Sequence, residues 1–169
     1  MRFTCIPTLI ATLSMAGCAS LGNLTRVIQP PRFEQAEGQP AQLRLMAPSR
    51  TMPLGGAGVR IWLRVRNPNP FGFTLSTVDA TLDLQGRRAA EGEFPVGLPL
   101  SANGDSVVPL DLAISFDDAP GLAGALRQLA VGGTVPYELS GTVGVDAGRL
   151  GTPTFGPMLL TDGNLRVVR

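Results

Sequence analysis

Val59-Arg60-Ile61-Trp62-Leu63-Arg64-Val65-Arg66-Asn67-Pro68-Asn69-Pro70 alternates apolar and polar side chains for eight positions and then runs into two prolines. Side chains of a strand point to opposite faces with period two, so Val59, Ile61, Leu63 and Val65 define one apolar face and Arg60, Trp62, Arg64 and Arg66 a polar one. Proline cannot donate to a ladder, and the residue before each proline is driven out of the helical region. Residues 67–70 therefore end the strand and leave the sheet in extended form, with the asparagine amides free to satisfy loop backbone groups.

The same period recurs along the chain. Leu43 and Leu45 alternate with Gln42 and Arg44; Val78, Ala80, Leu82 and Leu84 with Thr77, Asp79, Thr81 and Asp83. Val108, Leu110, Leu112, Ile114 and Phe116 share a face opposite Asp111 and Ser115, and Val135, Tyr137, Leu139, Val143 and Val145 form a last run. Each run has one apolar side, as in antiparallel sheets whose second face meets water. Gln85-Gly86 predicts a tight turn before Arg87–Pro95, and Asn103-Gly104 predicts a hairpin. Longer loops are predicted over Ala47–Ala57 and Asp146–Pro157. One segment reads as helix: Asp117-Asp118-Ala119-Pro120 offers a carboxylate cap and an early proline, Leu122, Ala125, Leu126 and Leu129 follow at helical spacing, and Gly132-Gly133 ends it. The pattern predicts an all-β chain, a single antiparallel β-sandwich of about seven strands with one short helix. If the runs at 59–66 and 77–84 formed a hairpin, Arg64 would face Asp79, Arg60 would face Asp83, and Trp62 would lie opposite Thr81.

The first eighteen residues concern location. Arg2 precedes a mostly apolar run of 13 residues, Phe3–Met15, then Ala16-Gly17-Cys18. That run is too short to cross a hydrocarbon core of about 30 Å as a helix, and Pro7 interrupts it, but it fits the apolar region of a secretory signal. Met15-Ala16-Gly17-Cys18 resembles the lipobox of bacterial lipoproteins, which are cut before a cysteine whose thiol carries diacylglycerol. The resemblance implies a signal peptide over residues 1–17, lipidation at Cys18, an acylated tether over 18–30 and a folded domain over 31–169. Such proteins usually carry three acyl chains, and several chains anchor stably where one does not. Ala19 follows the cysteine in place of the Asp that marks inner-membrane retention in enteric bacteria, so the expected address is an outer membrane, facing the periplasm. An ordinary secretory signal with an unrelated cysteine is the alternative.

Composition narrows the chemistry. The chain has 169 residues, no histidine and no lysine; without Arg2 its 13 arginines balance 13 acidic residues. A mature chain of 152 residues suits one domain that buries roughly 68–70% of its unfolded surface. Neutral overall charge gives no reason to expect nucleic acid or an acidic membrane surface as a partner. Cys5 leaves with the signal and Cys18 is acylated, so no disulfide is expected. The missing histidine removes Ser-His-Asp and Cys-His catalysis and every histidine-ligated metal. The remaining carboxylates have structural readings: Asp117-Asp118 as a helix cap, Glu91 and Glu93 as a solvated strand face, Asp79 and Asp83 as partners of arginine. Gly55-Gly56-Ala57-Gly58 lacks the lysine of a phosphate loop, and no EF-hand pattern occurs. The reading is of a non-enzyme without cofactor or metal.

Trp62–Phe73 as a block, then Leu75, an alternating strand, Gly86, Ala89-Ala90-Glu91-Gly92, the 107–114 strand and Tyr137-Glu138-Leu139-Ser140-Gly141 together resemble the late embryogenesis abundant type 2 family and its water-stress and hypersensitive-response (WHy) domain. The likeness runs from about Pro31 to Val168, with Asn67-Pro68-Asn69 as its most specific part. It implies an immunoglobulin- or fibronectin-III-like sandwich, a role in tolerance of drying and cold, and no enzymatic activity. Asn67, Pro68, Asn69 and Pro70 are expected to act as a structural turn, with Phe71 and Phe73 as a possible partner-binding pair. The expected protein is a monomer tied to the membrane through Cys18, protecting an unidentified client. The alternative is an accessory lipoprotein of an envelope assembly or transport complex.

Overall fold

The alternating run 56–66 becomes the central strand of its layer because both of its edges are hydrogen-bonded and its apolar face is sealed. The computed structural model describes residues 28–117 and 120–167; the expected signal peptide and Cys18 lie outside them. Among the described residues the strands are β1 (Arg32–Gln35), β2 (Gln42–Met46), β3 (Gly56–Arg66), β4 (Phe73–Leu84), β5 (Arg87–Leu100), β6 (Asp105–Ser115), β7 (Val135–Asp146) and β8 (Thr154–Val167), and the one α-helix is α1 (Ala123–Ala130), entered through a 3-10 turn at Pro120–Leu122. β3 pairs β6 along one edge; on the other it pairs β2 through residues 56–60 and β1 through 63–66. β4 pairs β5 and β7, and β7 pairs β8. These two layers are the halves of one open eight-stranded sheet, joined at a seam where Gln42 and Leu43 of β2 meet Arg166 and Val167 of β8.

The all-β sandwich expected from the alternation is the fold observed, with eight strands in place of about seven and one parallel junction, β2 with β8, in an otherwise antiparallel arrangement. The apolar faces meet in a single core. Val59, Ile61, Leu63 and Val65 of β3, Leu82 and Leu84 of β4, Leu110 and Ile114 of β6, and Leu139 and Val143 of β7 are each at most 1% exposed. Burying a side chain of this size contributes roughly 1.5–3 kcal/mol, so these positions dominate the favourable side of folding. Leu122, Ala125 and Leu129 also enter the core, packing the helical segment against β5, β7 and β8. The helix ends as its glycines require: Gly132 has φ +81°, and Gly133 N–H bonds the carbonyl of Gln128. Gln85 and Gly86 both take positive φ, 51° and 72°, closing the β4–β5 hairpin tightly.

Four expectations need correction. β3 and β4 do not form a hairpin, because residues 67–72 carry the chain from one layer to the other. Arg60 lies opposite Asp111 and Trp62 opposite Pro109, while Asp79 lies opposite Glu93 and Asp83 opposite Arg88. Asn103-Gly104 makes a turn, with Gly104 N–H bonded to the Ser101 carbonyl, but β5 and β6 belong to different layers and the turn crosses between them. The loop expected over Asp146–Pro157 closes earlier, as β8 begins at Thr154. The expected tether through residue 30 is too long: Ile28 is 4% exposed and Pro31 is buried, so the folded body has begun by residue 28.

β2 shows where alternation misleads. Leu43 is fully buried at the seam with β8, but Leu45, two residues on and past that pairing, is 52% exposed. Leu43→Ala is expected to destabilise the fold by about 2–5 kcal/mol, whereas Leu45→Ala should change stability by less than about 0.5 kcal/mol. Urea unfolding of the two variants separates them, and equal losses would contradict this placement of β2.

Candidate functional site

Asn67 follows the last residue of β3 and Asn69 sits two residues on; both are fully buried, and each is followed by a proline. A buried carboxamide is costly unless its donors and acceptors are matched. Asn67 meets that demand completely. Its Nδ2 donates to the carbonyls of Phe71 (2.8 Å) and Ser101 (2.9 Å), and its Oδ1 accepts from the backbone N–H (2.9 Å) and Nδ2 (3.0 Å) of Asn69. Both donors and both lone-pair positions of the side chain are thus used. Asn69 extends the network to the start of the folded chain: its Nδ2 donates to the Gln29 carbonyl (2.9 Å) and its Oδ1 accepts from Gln29 N–H (2.8 Å). Backbone bonds from Asn67 N–H to Gly104 O (2.8 Å) and from Asn103 N–H to Asn69 O (3.0 Å) complete it.

Three segments remote in sequence are therefore clamped together: the entry at Gln29, the crossing at 67–71 and the turn at 101–104. The prolines make this possible. Pro68 and Pro70 keep Asn67 and Asn69 out of helical geometry and remove two N–H groups that would otherwise need partners. The asparagines do more than satisfy their own loop, since their partners lie 34 and 40 residues away. Sequence reasoning missed Gln29 and Ser101. Both take part through backbone atoms alone, so their side chains carry no signal of it.

The aromatic pair divides. Phe73 is 5% exposed and belongs to the core, so it is not a surface group; Phe71 is half-buried and keeps part of its ring accessible. Cys18 lies outside the described residues, as does Asp118. Asp117 accepts from Leu54 N–H (3.3 Å), tying the 47–55 loop to the end of β6. Asp79, Asp83, Glu91 and Glu93 line an open depression of about 560 Å³ on the outer face of the β4–β5–β7 layer, where Arg88 meets Glu91 at 2.7 Å. Among the described residues no group of three Cys, Asp or Glu side chains is placed to hold a metal ion.

The outer face of the other layer carries arginine. Arg60 makes a two-pronged bond to Asp111, Nε at 2.6 Å and Nη2 at 2.9 Å, and its guanidinium lies 5.9 Å from the centre of the Trp62 ring. The hydrogen bond and charge of Asp111 hold the Arg60 guanidinium above its ordinary pKa. Arg64 reaches Asp105 at 3.5 Å, with Glu34 and Glu37 at 3.9 Å. These exposed pairs keep the face soluble and contribute little to folding.

The clamp yields a direct prediction. Asn67→Ala strands the Asn69 donors and two carbonyls, and is expected to cost at least about 3 kcal/mol in chemical denaturation. Asn67→Asp keeps the shape but, once ionised, faces the Phe71 and Ser101 carbonyls without a donor. Its carboxyl pKa should be raised in the folded state, so the variant keeps most stability at acid pH and loses it as pH rises through the carboxyl range. A pH-independent loss would contradict the assigned donors.

A family model for late embryogenesis abundant proteins, LEA_2, matches residues 63–158, from the second half of β3 through the clamp to the start of β8. No curated protein sequence matches the chain. Among solved structures, the solution structure of AT1g01470 from Arabidopsis thaliana superposes with TM-score 0.59 at 18% identity, covering 84% of this chain and 85% of that one. The solution structure of At2g46140.1, described as a late embryogenesis abundant protein, gives TM-score 0.52 at 18% identity, covering 86% and 74%. Those likenesses concern the fold, while the family match covers more than half of the chain and contains both asparagines of the clamp. The chain belongs to the LEA_2 family of late embryogenesis abundant proteins.

Proposed function

We propose that this protein is a non-enzymatic lipoprotein, anchored through Cys18 in an outer membrane and facing the periplasm, that protects the envelope against drying and cold. The observation that carries the reading is the family match over residues 63–158, in a chain whose leader resembles a lipoprotein signal. The fold is consistent with a passive role. Its most elaborate polar network is spent inside, on the Asn67–Asn69 clamp, and its outer faces carry solvated ion pairs. Two or more acyl chains would hold the domain at the bilayer surface, where water loss concentrates solutes and proteins.

Intact-mass measurement of detergent-extracted protein is expected to give a chain beginning at Cys18 and carrying acyl chains, with Cys18→Ala abolishing the modification. A deletion strain should lose survival after drying, with rescue by the wild-type gene and not by Cys18→Ala. Undiminished survival of the deletion strain would contradict the protective role. Recovery of a stoichiometric partner in the same extract would favour the accessory role in an envelope complex.

A further inference from the structure

A lipid anchor at Cys18 ties one end of the domain to the membrane that holds it. The chain enters the folded body at Gln29, which Asn69 grips through both backbone atoms. Asn103 bonds Asn69 as well, so the entry point, the 67–71 crossing and the 101–104 turn occupy one end of the sandwich. From there β4 carries the chain through twelve residues to Gln85, roughly 36 Å away. At that far end the Gln85 side chain meets Gln128 of α1. Ten residue steps separate Cys18 from Ile28 and span at most about 36 Å. The clamp end is thus the end to which the anchor is tied, and its charge decides whether it also rests on the bilayer.

Its charge suits that position. Arg32 of β1 and Arg66 of β3 are exposed cross-strand partners on the same face, and neither has a carboxylate within ion-pair distance among the described residues. Like charges placed opposite one another repel, and their fields add towards an anion. The nearest carboxylate in register, Asp105, is engaged by Arg64. On the adjoining 147–153 loop, Arg149 and Leu150 are exposed, and Asp146 at its start accepts from Gly148 N–H. Half-buried Phe71 and exposed Ala102 add an apolar rim. This end thus combines unpaired guanidinium groups with modest apolar surface, the chemistry that anionic phospholipid headgroups take.

We propose that the Arg32–Arg66 end of the sandwich docks on anionic phospholipid headgroups of the membrane that holds Cys18, so that the domain stands with α1 pointing away from the bilayer. The proposal rests on the lipoprotein reading above. Each arginine near an anionic surface should favour the docked state about fivefold, and the pair about thirtyfold.

The acylated full-length protein can test it directly, because acylation consumes Cys18 and one introduced cysteine is then the sole labelling site. Fluorescent labels at Ala102→Cys and Val131→Cys report the two ends; Val131 follows α1 and is 82% exposed. In vesicles of phosphatidylcholine and phosphatidylglycerol carrying a headgroup quencher, the label at position 102 should be quenched and that at 131 should not. Arg32→Gln with Arg66→Gln should abolish quenching at 102, as should vesicles of phosphatidylcholine alone, while mass and vesicle flotation show the chain still acylated and bound. Equal quenching at both ends of an acylated chain, or quenching at 102 that survives the double substitution, would overturn the docking face and leave the anchor intact. A free Cys18 thiol would overturn the anchor and the docking face together.

Discussion

Two asparagine carboxamides without access to solvent, Asn67 and Asn69, hold the point where the chain passes from one layer to the other. A buried amide is tolerated only when its partners are in place, and those partners come from three separate segments. The network therefore couples local geometry to global topology: the crossing cannot form correctly unless Gln29 and the 101–104 turn have arrived. It also explains the prolines. They keep the crossing extended and leave no surplus N–H in a place where water cannot supply a bond.

The core beneath the clamp is ordinary by comparison. Its apolar side chains come from strands of both layers and from the helical segment, and any one of them can be exchanged for another of similar volume at modest cost. The asparagines have no such substitutes, since an apolar residue of the same size would leave the backbone carbonyls of Phe71 and Ser101 unpaired. Apolar packing supplies the bulk of the stability, and the polar clamp specifies which connection between layers that packing adopts. The same clamp fixes where the chain enters the body, and so links the fold to the proposed membrane address.

Legibility in the sequence followed periodicity. β3, β4, β6 and β7 were readable because each has one uninterrupted apolar face, and every residue assigned to those faces is buried except Phe116, which is half-buried. β8 was not, because register shifts break its alternation: Leu160 and Thr161 are both buried while Leu159 is 55% exposed. β1 has four residues and a single apolar side chain facing the core, Phe33, too few to show a period. Strand pairing was harder still. The charges of Arg60 and Arg64 fit Asp83 and Asp79 as well as they fit Asp111 and Asp105, so only the crossing at 67–70 decides between the two arrangements. The motif itself was visible as a turn, but its long-range partners are backbone atoms of residues whose side chains play no part.

Native-state hydrogen exchange of the backbone amides at Gln29, Asn67, Asn69 and Asn103 tests the central claim most directly. A clamp that joins the two layers predicts that these loop amides exchange only through global unfolding, with the same protection as Ile61 and Leu63 in the centre of β3. Exchange at the rate of exposed loops, while the β3 amides stay protected, would show that the asparagines decorate a crossing that is held by the core alone.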